Sequence, residues 1–182
     1  MPRAIFLDRD GVIVEPVPDP ETGRPESPYA ARDVALVDGV AEALRALASE
    51  RVVVVSNQPA AAKGKATRAD LEAVHARTVE LLAAADIALA DWRYCLHSPG
   101  DDCACRKPRP GLLIAAAREH DLDLGASWMV GDSDSDVLAG AAAGCRTALV
   151  EHPGTAHRRP DTCLRPTLRA SSLLALVPRL QE

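Results

Sequence analysis

Short apolar runs alternate along the chain with stretches in which apolar residues recur at helical spacing. Strands are predicted at residues 4–7, 52–55, 92–95, 128–130 and 147–150, and helices at residues 40–47, 70–84, 112–119, 136–143 and 171–177. This alternation is typical of an α/β fold with a parallel sheet. The run at residues 52–55 is apolar on both faces, as expected of a central strand covered by helices on each side. We therefore predict a doubly wound, Rossmann-like, mostly parallel sheet with helices on both faces.

Two segments interrupt the alternation. Residues 15–32 contain five prolines and Gly23, which predict a stiff loop without helix or strand. After Val150 the chain is polar and proline-rich as far as Pro160. At 182 residues the chain has the size of one domain, and neither segment is long enough to fold separately. We expect a single domain spanning residues 1–182.

Composition excludes several classes of protein. A net charge of −5 and an aromatic content of 3% argue against a surface that binds nucleic acid. No apolar run has transmembrane length, and Asp8 comes too early for a signal peptide. The five cysteines do not form a disulfide pattern. We expect a cytoplasmic monomer whose partner is a small molecule, without nucleic-acid or membrane binding.

The segment 95–105 has the ligand types and spacing of a metal site. Cys95 and His97 lie two residues apart, on the same side of an extended chain, and the intervening residues 98–102 are enough to fold Cys103 and Cys105 back towards them. Three thiolates and one imidazole in a tetrahedron suit Zn²⁺, and four protein ligands leave no position for water, which indicates a structural site. Three unligated cysteines with an unrelated histidine, or a redox Cys-x-Cys pair, are the alternatives.

Two cations follow this segment directly. Pro108 disfavours the α conformation at Lys107, and Pro110 is a good first residue for the next helix. The zinc loop would therefore hold Arg106 and Lys107 near a helix start, where side chains and backbone donors together bind an anion.

Polar residues also follow the predicted strands. Asp8 and Asp10 follow the first strand, Ser56 and Asn57 follow the second, and Asp132 follows the strand at 128–130. Ligands bind at this edge of doubly wound sheets, where three carboxylates predict a divalent cation, most suitably Mg²⁺. The alternative is that these acids cap turns and helix starts. With the Ser56 hydroxyl, the Asn57 amide and the Lys107 ammonium, the ion would surround a tetrahedral dianion, as in phosphoryl transfer.

Four motifs carry a family resemblance, and they occur in order at residues 6–12, 56–58, 106–108 and 131–136. Over roughly residues 4–150 the chain resembles the haloacid dehalogenase superfamily of phosphohydrolases. The zinc loop before the third motif is similar to that of the branch containing heptose-bisphosphate and histidinol-phosphate phosphatases. The resemblance implies that Asp8 is the nucleophile and Asp10 the general acid and base. It also implies that Mg²⁺ is held by Asp8, the Asp10 carbonyl and Asp132.

The same resemblance implies that Ser56 and Lys107 stabilise the transferring phosphoryl group and that Arg106 contacts substrate. Larger members carry a cap domain after the first or second motif, but neither gap here is long enough for one. Specificity would come from the loop at 15–32 and the zinc loop at 95–105. The predicted function is Mg²⁺-dependent hydrolysis of a small phosphomonoester, a heptose bisphosphate, through an aspartyl phosphate. Histidinol phosphate is the alternative substrate, and a zinc-stabilised binding module without enzymatic activity is a more distant alternative.

Overall fold

The computed structural model covers residues 1–182, and its centre is a sheet of six strands. The strands of the chain are β1 (Ile5–Leu7), β2 (Val17–Pro18), β3 (Pro25–Glu26), β4 (Val52–Asn57), β5 (Asp91–Cys95), β6 (Trp128–Gly131), β7 (Arg146–Val150) and β8 (Leu168–Ala170). The order across the main sheet is β5-β4-β1-β6-β7-β8, with every pairing parallel. The predicted parallel α/β fold is confirmed.

Helices cover both faces of this sheet. They are α1 (Val40–Ala46), α2 (Arg68–Ala83), α3 (Gly111–His120), α4 (Asp134–Ala143) and α5 (Leu173–Leu180). Because side chains alternate along a strand, Ile5 and Leu7 pack with α1, α2 and α5, whereas Phe6 packs with α3 and α4. Two separate apolar layers therefore hold the sheet between them, as predicted. None of the five α-helices combines the length and apolar character needed to cross a bilayer.

The structure corrects the prediction for residues 15–32. This segment contains a short antiparallel hairpin, β2 with β3, and a 3₁₀ turn at Ala31–Asp33. The hairpin forms because the Asp19 carboxylate accepts hydrogen bonds from the N–H groups of Glu21 and Thr22, and Gly23 closes the turn at φ +67°. Proline has no backbone N–H and would interrupt the hydrogen bonds of a longer strand, but each of these strands has only two residues.

The segment after β7 also differs from expectation. A 3₁₀ turn spans Pro153–Arg158, and the unpredicted strand β8 forms one edge of the sheet. Helix α4 begins at Asp134, two residues before the predicted start, because Ser133 caps it.

Candidate active site

Three neighbouring strands deliver the predicted site residues to one edge of the sheet. Strand β1 lies between β4 and β6. Asp8 follows β1, Ser56 and Asn57 end β4, and Asp132 follows β6. A cavity of about 360 Å³, lined by polar side chains and Pro59, opens beside them. The edge expected to bind ligand is therefore where these residues meet.

Asp8 and Lys107 form a buried ion pair. Lys107 Nζ lies 2.9 Å from Asp8 Oδ1 and 2.6 Å from Asp136 Oδ1, and it donates to the Val55 carbonyl at 2.7 Å. Burial raises the pKa of Asp8, and Lys107 acts against that rise. Burial lowers the pKa of Lys107, but Asp136 and Asp8 together raise it above its usual range. Lys107 therefore stays charged beside the Asp8 carboxylate.

Asp8, Asp132 and Asp136 bring their carboxylates together, with one oxygen of each lying within 4.8 Å of the others. Asp132 Oδ1 is buried without a hydrogen-bond partner. Burial raises the pKa of Asp132 to about 8, against the opposing effect of Arg158. Because a buried oxygen without a partner is costly, this cluster has the chemistry of a site for a hard divalent cation.

The sequence did not place Asp136 in this cluster. Its Oδ2 accepts hydrogen bonds from the Ser133 backbone N–H at 3.1 Å and from the Ser133 hydroxyl at 2.7 Å. Asp136 therefore caps α4 and also faces Lys107 through its other oxygen.

The Asp10 side chain lies outside the carboxylate cluster. Its oxygens accept from Arg9 Nε at 2.9 Å and Nη2 at 3.1 Å, from Gln58 Nε2 at 2.6 Å and from the Ser27 hydroxyl at 2.8 Å. Burial on its own raises the pKa of Asp10, but Arg9, Ser27 and Gln58 hold it below the usual range. The Asp10 carbonyl faces a different group, Arg158 Nη1, at 3.2 Å.

Gly11 allows the turn after β1 to approach Asp132. Its φ of +89° is in the left-handed region, and a Cβ at this position would collide with the Asp132 carboxylate. Any other residue would be strained there and would displace Asp132.

The four predicted anion-binding residues, Ser56, Asn57, Arg106 and Lys107, all line the cavity. Ser56 Oγ accepts a hydrogen bond from Gln58 Nε2 at 3.0 Å, which leaves its own hydrogen available to another acceptor. Asn57 differs from Ser56, because both polar atoms of its side-chain amide already form hydrogen bonds with the backbone of Lys107.

Several lining residues were missed by the sequence analysis. Lys63 follows β4, Glu26 and Ser27 belong to the hairpin segment, and His157 and Arg158 end the 3₁₀ turn after β7. Ligands bind beyond the carboxyl ends of parallel strands, and β7 is the neighbour of β6 in the sheet. The segment after β7 could therefore have been predicted to reach the site.

Cys95, His97, Cys103 and Cys105 form a second cluster, at the end of β5. The Cys95 and Cys103 sulfurs lie 3.6 Å apart, those of Cys103 and Cys105 3.5 Å apart, and His97 Nδ1 lies 3.6 Å from Cys95 Sγ and 3.3 Å from Cys105 Sγ. A tetrahedron with Zn–S bonds of about 2.3 Å has ligand atoms about 3.7 Å apart. The four separations given are close to this value, and all the ligand atoms lie within 4.8 Å of one another.

Comparison with known proteins decides the family. A family model described as HAD-hyrolase-like matches residues 104–176. A D-glycero-beta-D-manno-heptose-1,7-bisphosphate 7-phosphatase of Pseudomonas putida is 35% identical over 160 residues, which is 82% of this chain and 82% of the relative. The protein of the same name from Salmonella typhi is 38% identical over 83% of this chain and 81% of its own length. The chain belongs to the haloacid dehalogenase-like hydrolases.

A solved structure supports this assignment across the whole fold. The D,D-heptose 1,7-bisphosphate phosphatase of B. bronchiseptica, complexed with magnesium and phosphate, has a TM-score of 0.84 and 31% sequence identity, and the match covers 98% of each chain. The prediction of a haloacid dehalogenase-like enzyme is therefore confirmed. A zinc-stabilised module without enzymatic activity is excluded as the main role.

Proposed function

We propose that this haloacid dehalogenase-like hydrolase is a Mg²⁺-dependent phosphatase whose substrate is a heptose 1,7-bisphosphate. The observation that carries the proposal is that Asp8 and Lys107 pair at the wall of a polar cavity, with the buried Asp132 carboxylate beside Asp8. The names of the relatives and the magnesium and phosphate bound to the similar structure support it.

The proposed ligands of Mg²⁺ are Asp8, the Asp10 carbonyl and Asp132. The unpartnered Asp132 Oδ1 supports this set, since a cation would satisfy it. When bound, the ion supplies positive charge that neutralises the phosphoryl oxygens and the cluster of carboxylates.

In the proposed reaction an Asp8 oxygen attacks phosphorus as the bond between phosphorus and the sugar oxygen breaks, giving an aspartyl phosphate and an alcohol. The Ser56 hydroxyl and Lys107 ammonium hold the phosphoryl oxygens during this transfer. Asp10 enters the reaction protonated, gives its proton to the departing alkoxide and then regains one from the water that hydrolyses the aspartyl phosphate. Inorganic phosphate leaves, and both carboxylates return to their starting state.

We propose that Cys95, His97, Cys103 and Cys105 hold a structural Zn²⁺. Arg106 Nη1 donates to the His97 carbonyl at 3.3 Å, so the loop that would hold the metal also contacts a cation of the cavity. The zinc would limit the movement of Arg106 and of Lys107, which follows it.

Substrate choice follows from the charges around the cavity. Lys63, Arg106 and Arg158 line it in addition to Lys107. A bisphosphate has a second anionic group for these cations, whereas histidinol phosphate has one phosphate and an ammonium group. The hairpin loop at 15–32 and the zinc loop at 95–105 are the proposed specificity segments.

The test is phosphate release from a panel containing D-glycero-β-D-manno-heptose 1,7-bisphosphate, sugar monophosphates and histidinol phosphate, with and without Mg²⁺. We expect the largest kcat/KM for the heptose bisphosphate and no activity without Mg²⁺. Asp8→Asn keeps the shape of the nucleophile and serves as the control, with a loss of about four or more orders of magnitude in kcat. A larger kcat/KM for histidinol phosphate, or near-normal turnover by Asp8→Asn, would contradict the proposal.

A further inference from the structure

Arg158 contacts three oxygens that belong to different parts of the site. Its Nη1 lies 3.2 Å from the Asp10 carbonyl oxygen and 3.3 Å from Asp132 Oδ2, and its Nη2 lies 3.4 Å from the Pro25 carbonyl. The Arg158 side chain is only 18% exposed, and that of Asp132 is fully buried. The guanidinium is therefore enclosed by oxygen atoms at the carboxylate cluster.

The Asp10 and Asp132 oxygens belong to two of the three residues proposed to bind Mg²⁺. A guanidinium and a divalent cation repel each other, and the repulsion is strong in a buried site where solvent screens little. We infer that Arg158 and Mg²⁺ compete for the Asp10 carbonyl and the Asp132 carboxylate, so that Mg²⁺ binding turns the Arg158 guanidinium towards an anionic group of the substrate. The inference rests on the proposed function, because it uses the proposed metal ligands.

The segment that carries Arg158 is anchored independently of this side chain. Arg159 Nη1 donates to the Asp132 carbonyl at 2.9 Å, and its Nη2 donates to the His152 carbonyl at 3.0 Å. Thr155, in the same turn, is fully buried. The backbone at residue 158 can therefore keep its place while the long Arg158 side chain changes partners.

The cavity offers a destination for the released guanidinium. Arg158 lines it together with Lys63 and Arg106, and no polar contact joins Arg158 to either of them. A substrate anion in this cavity would gain Arg158 as a cation in addition to Lys63, Arg106 and Lys107, once Mg²⁺ beside Asp132 had displaced the guanidinium. Metal binding and substrate binding would then be positively coupled through one side chain.

The test is calorimetric titration of Mg²⁺ into the purified protein without substrate, for wild type, Arg158→Gln, Arg158→Lys and Arg165→Gln. We expect Arg158→Gln to bind Mg²⁺ at least about fivefold more tightly, the lower end of usual couplings between sites. Arg158→Lys keeps the charge on a shorter side chain and should fall between wild type and Arg158→Gln. Arg165 is exposed and donates only to the backbone carbonyls of Thr162 and Leu164, so Arg165→Gln should leave Mg²⁺ affinity near the wild-type value.

A second readout separates competition from a purely structural role. Arg158→Gln should raise the KM for the phosphorylated substrate while it tightens Mg²⁺ binding, whereas damage to the fold would weaken both and lower Tm with saturating Mg²⁺. Unchanged or weaker Mg²⁺ binding by Arg158→Gln overturns the inference. If wild type binds no Mg²⁺, the proposed metal site fails and the inference fails with it. If wild type binds Mg²⁺ but hydrolyses no phosphomonoester, the proposed function fails, and tighter binding by Arg158→Gln still supports the competition.

Discussion

The side-chain amide of Asn57 donates one hydrogen bond to the backbone of Lys107 and accepts another from it. Asn57 Nδ2 donates to the Lys107 carbonyl at 3.0 Å, and the Lys107 N–H donates to Asn57 Oδ1 at 3.0 Å. This pair joins the end of β4 to the segment that follows the zinc loop. It therefore holds the Lys107 ammonium at the distance from Asp8 that the site requires.

We expect Asn57→Ala to lower kcat/KM by roughly tenfold to a hundredfold, because two hydrogen bonds of about 1 kcal/mol each no longer hold Lys107 in place. Steady-state kinetics and a thermal melt measure the effect on activity and stability. Mg²⁺ affinity should be unchanged, since Asn57 is not a proposed metal ligand. Wild-type kinetics in this variant would show that Asn57 has no part in positioning Lys107.

Replacement of Asp10 by Asn should affect poor leaving groups more than good ones. An alkyl alkoxide needs a proton in order to leave, whereas a nitrophenolate does not. We expect the loss in kcat for an alkyl phosphate to exceed that for a nitrophenyl phosphate by about tenfold or more. The ratio of the two losses is the measurement, and equal losses would argue against Asp10 as the acid.

The Arg9 contact should be visible in the pH profile. Burial acts to raise the pKa of Asp10, but Arg9 keeps it low. Asp10 must hold a proton to act as the acid of the first step, so loss of that proton sets the basic limb of kcat/KM. Arg9→Lys loses the two-point contact, and the Asp10 pKa should rise. The basic limb of kcat/KM should therefore move to higher pH. A basic limb that stays in place, or moves to lower pH, contradicts this assignment.

Cys103→Ser should remove the proposed zinc. We expect about one zinc per wild-type chain by metal analysis, and in the variant loss of that metal, a lower Tm and a higher KM, while Mg²⁺ dependence persists. Cys163→Ser is the matched control, because Cys163 is exposed and outside the cluster. Wild type without zinc, or Cys103→Ser with full metal content, would refute the site.

Much of the fold was predictable because the central strands have a strong local signal. Strands β1, β4 and β6 are buried along nearly their whole length, so their sequences are apolar on both faces. By contrast, β8 is a three-residue edge strand with an exposed arginine at its centre, and its sequence does not differ from a loop. The hairpin in residues 15–32 depends on Asp19, whose partners include Lys65, far away in the sequence.

The site was predictable to the same degree and for a related reason. Parallel strands bring their ends together, which is enough to group Asp8, Ser56 and Asp132. Contacts between side chains do not follow from that rule. The pairing of Asn57 with Lys107 and the approach of Arg158 to Asp132 depend on how two loops cross the sheet edge.

Strand β5 is the outermost strand of the sheet beside β4, and its last residue is Cys95. An edge strand presents unpaired backbone groups that can pair with another chain. Loss of the proposed zinc would free Cys95 at the end of this edge strand, and we expect the metal-free protein to aggregate through the strand. Light scattering after zinc depletion should rise before the remaining soluble enzyme loses its turnover rate.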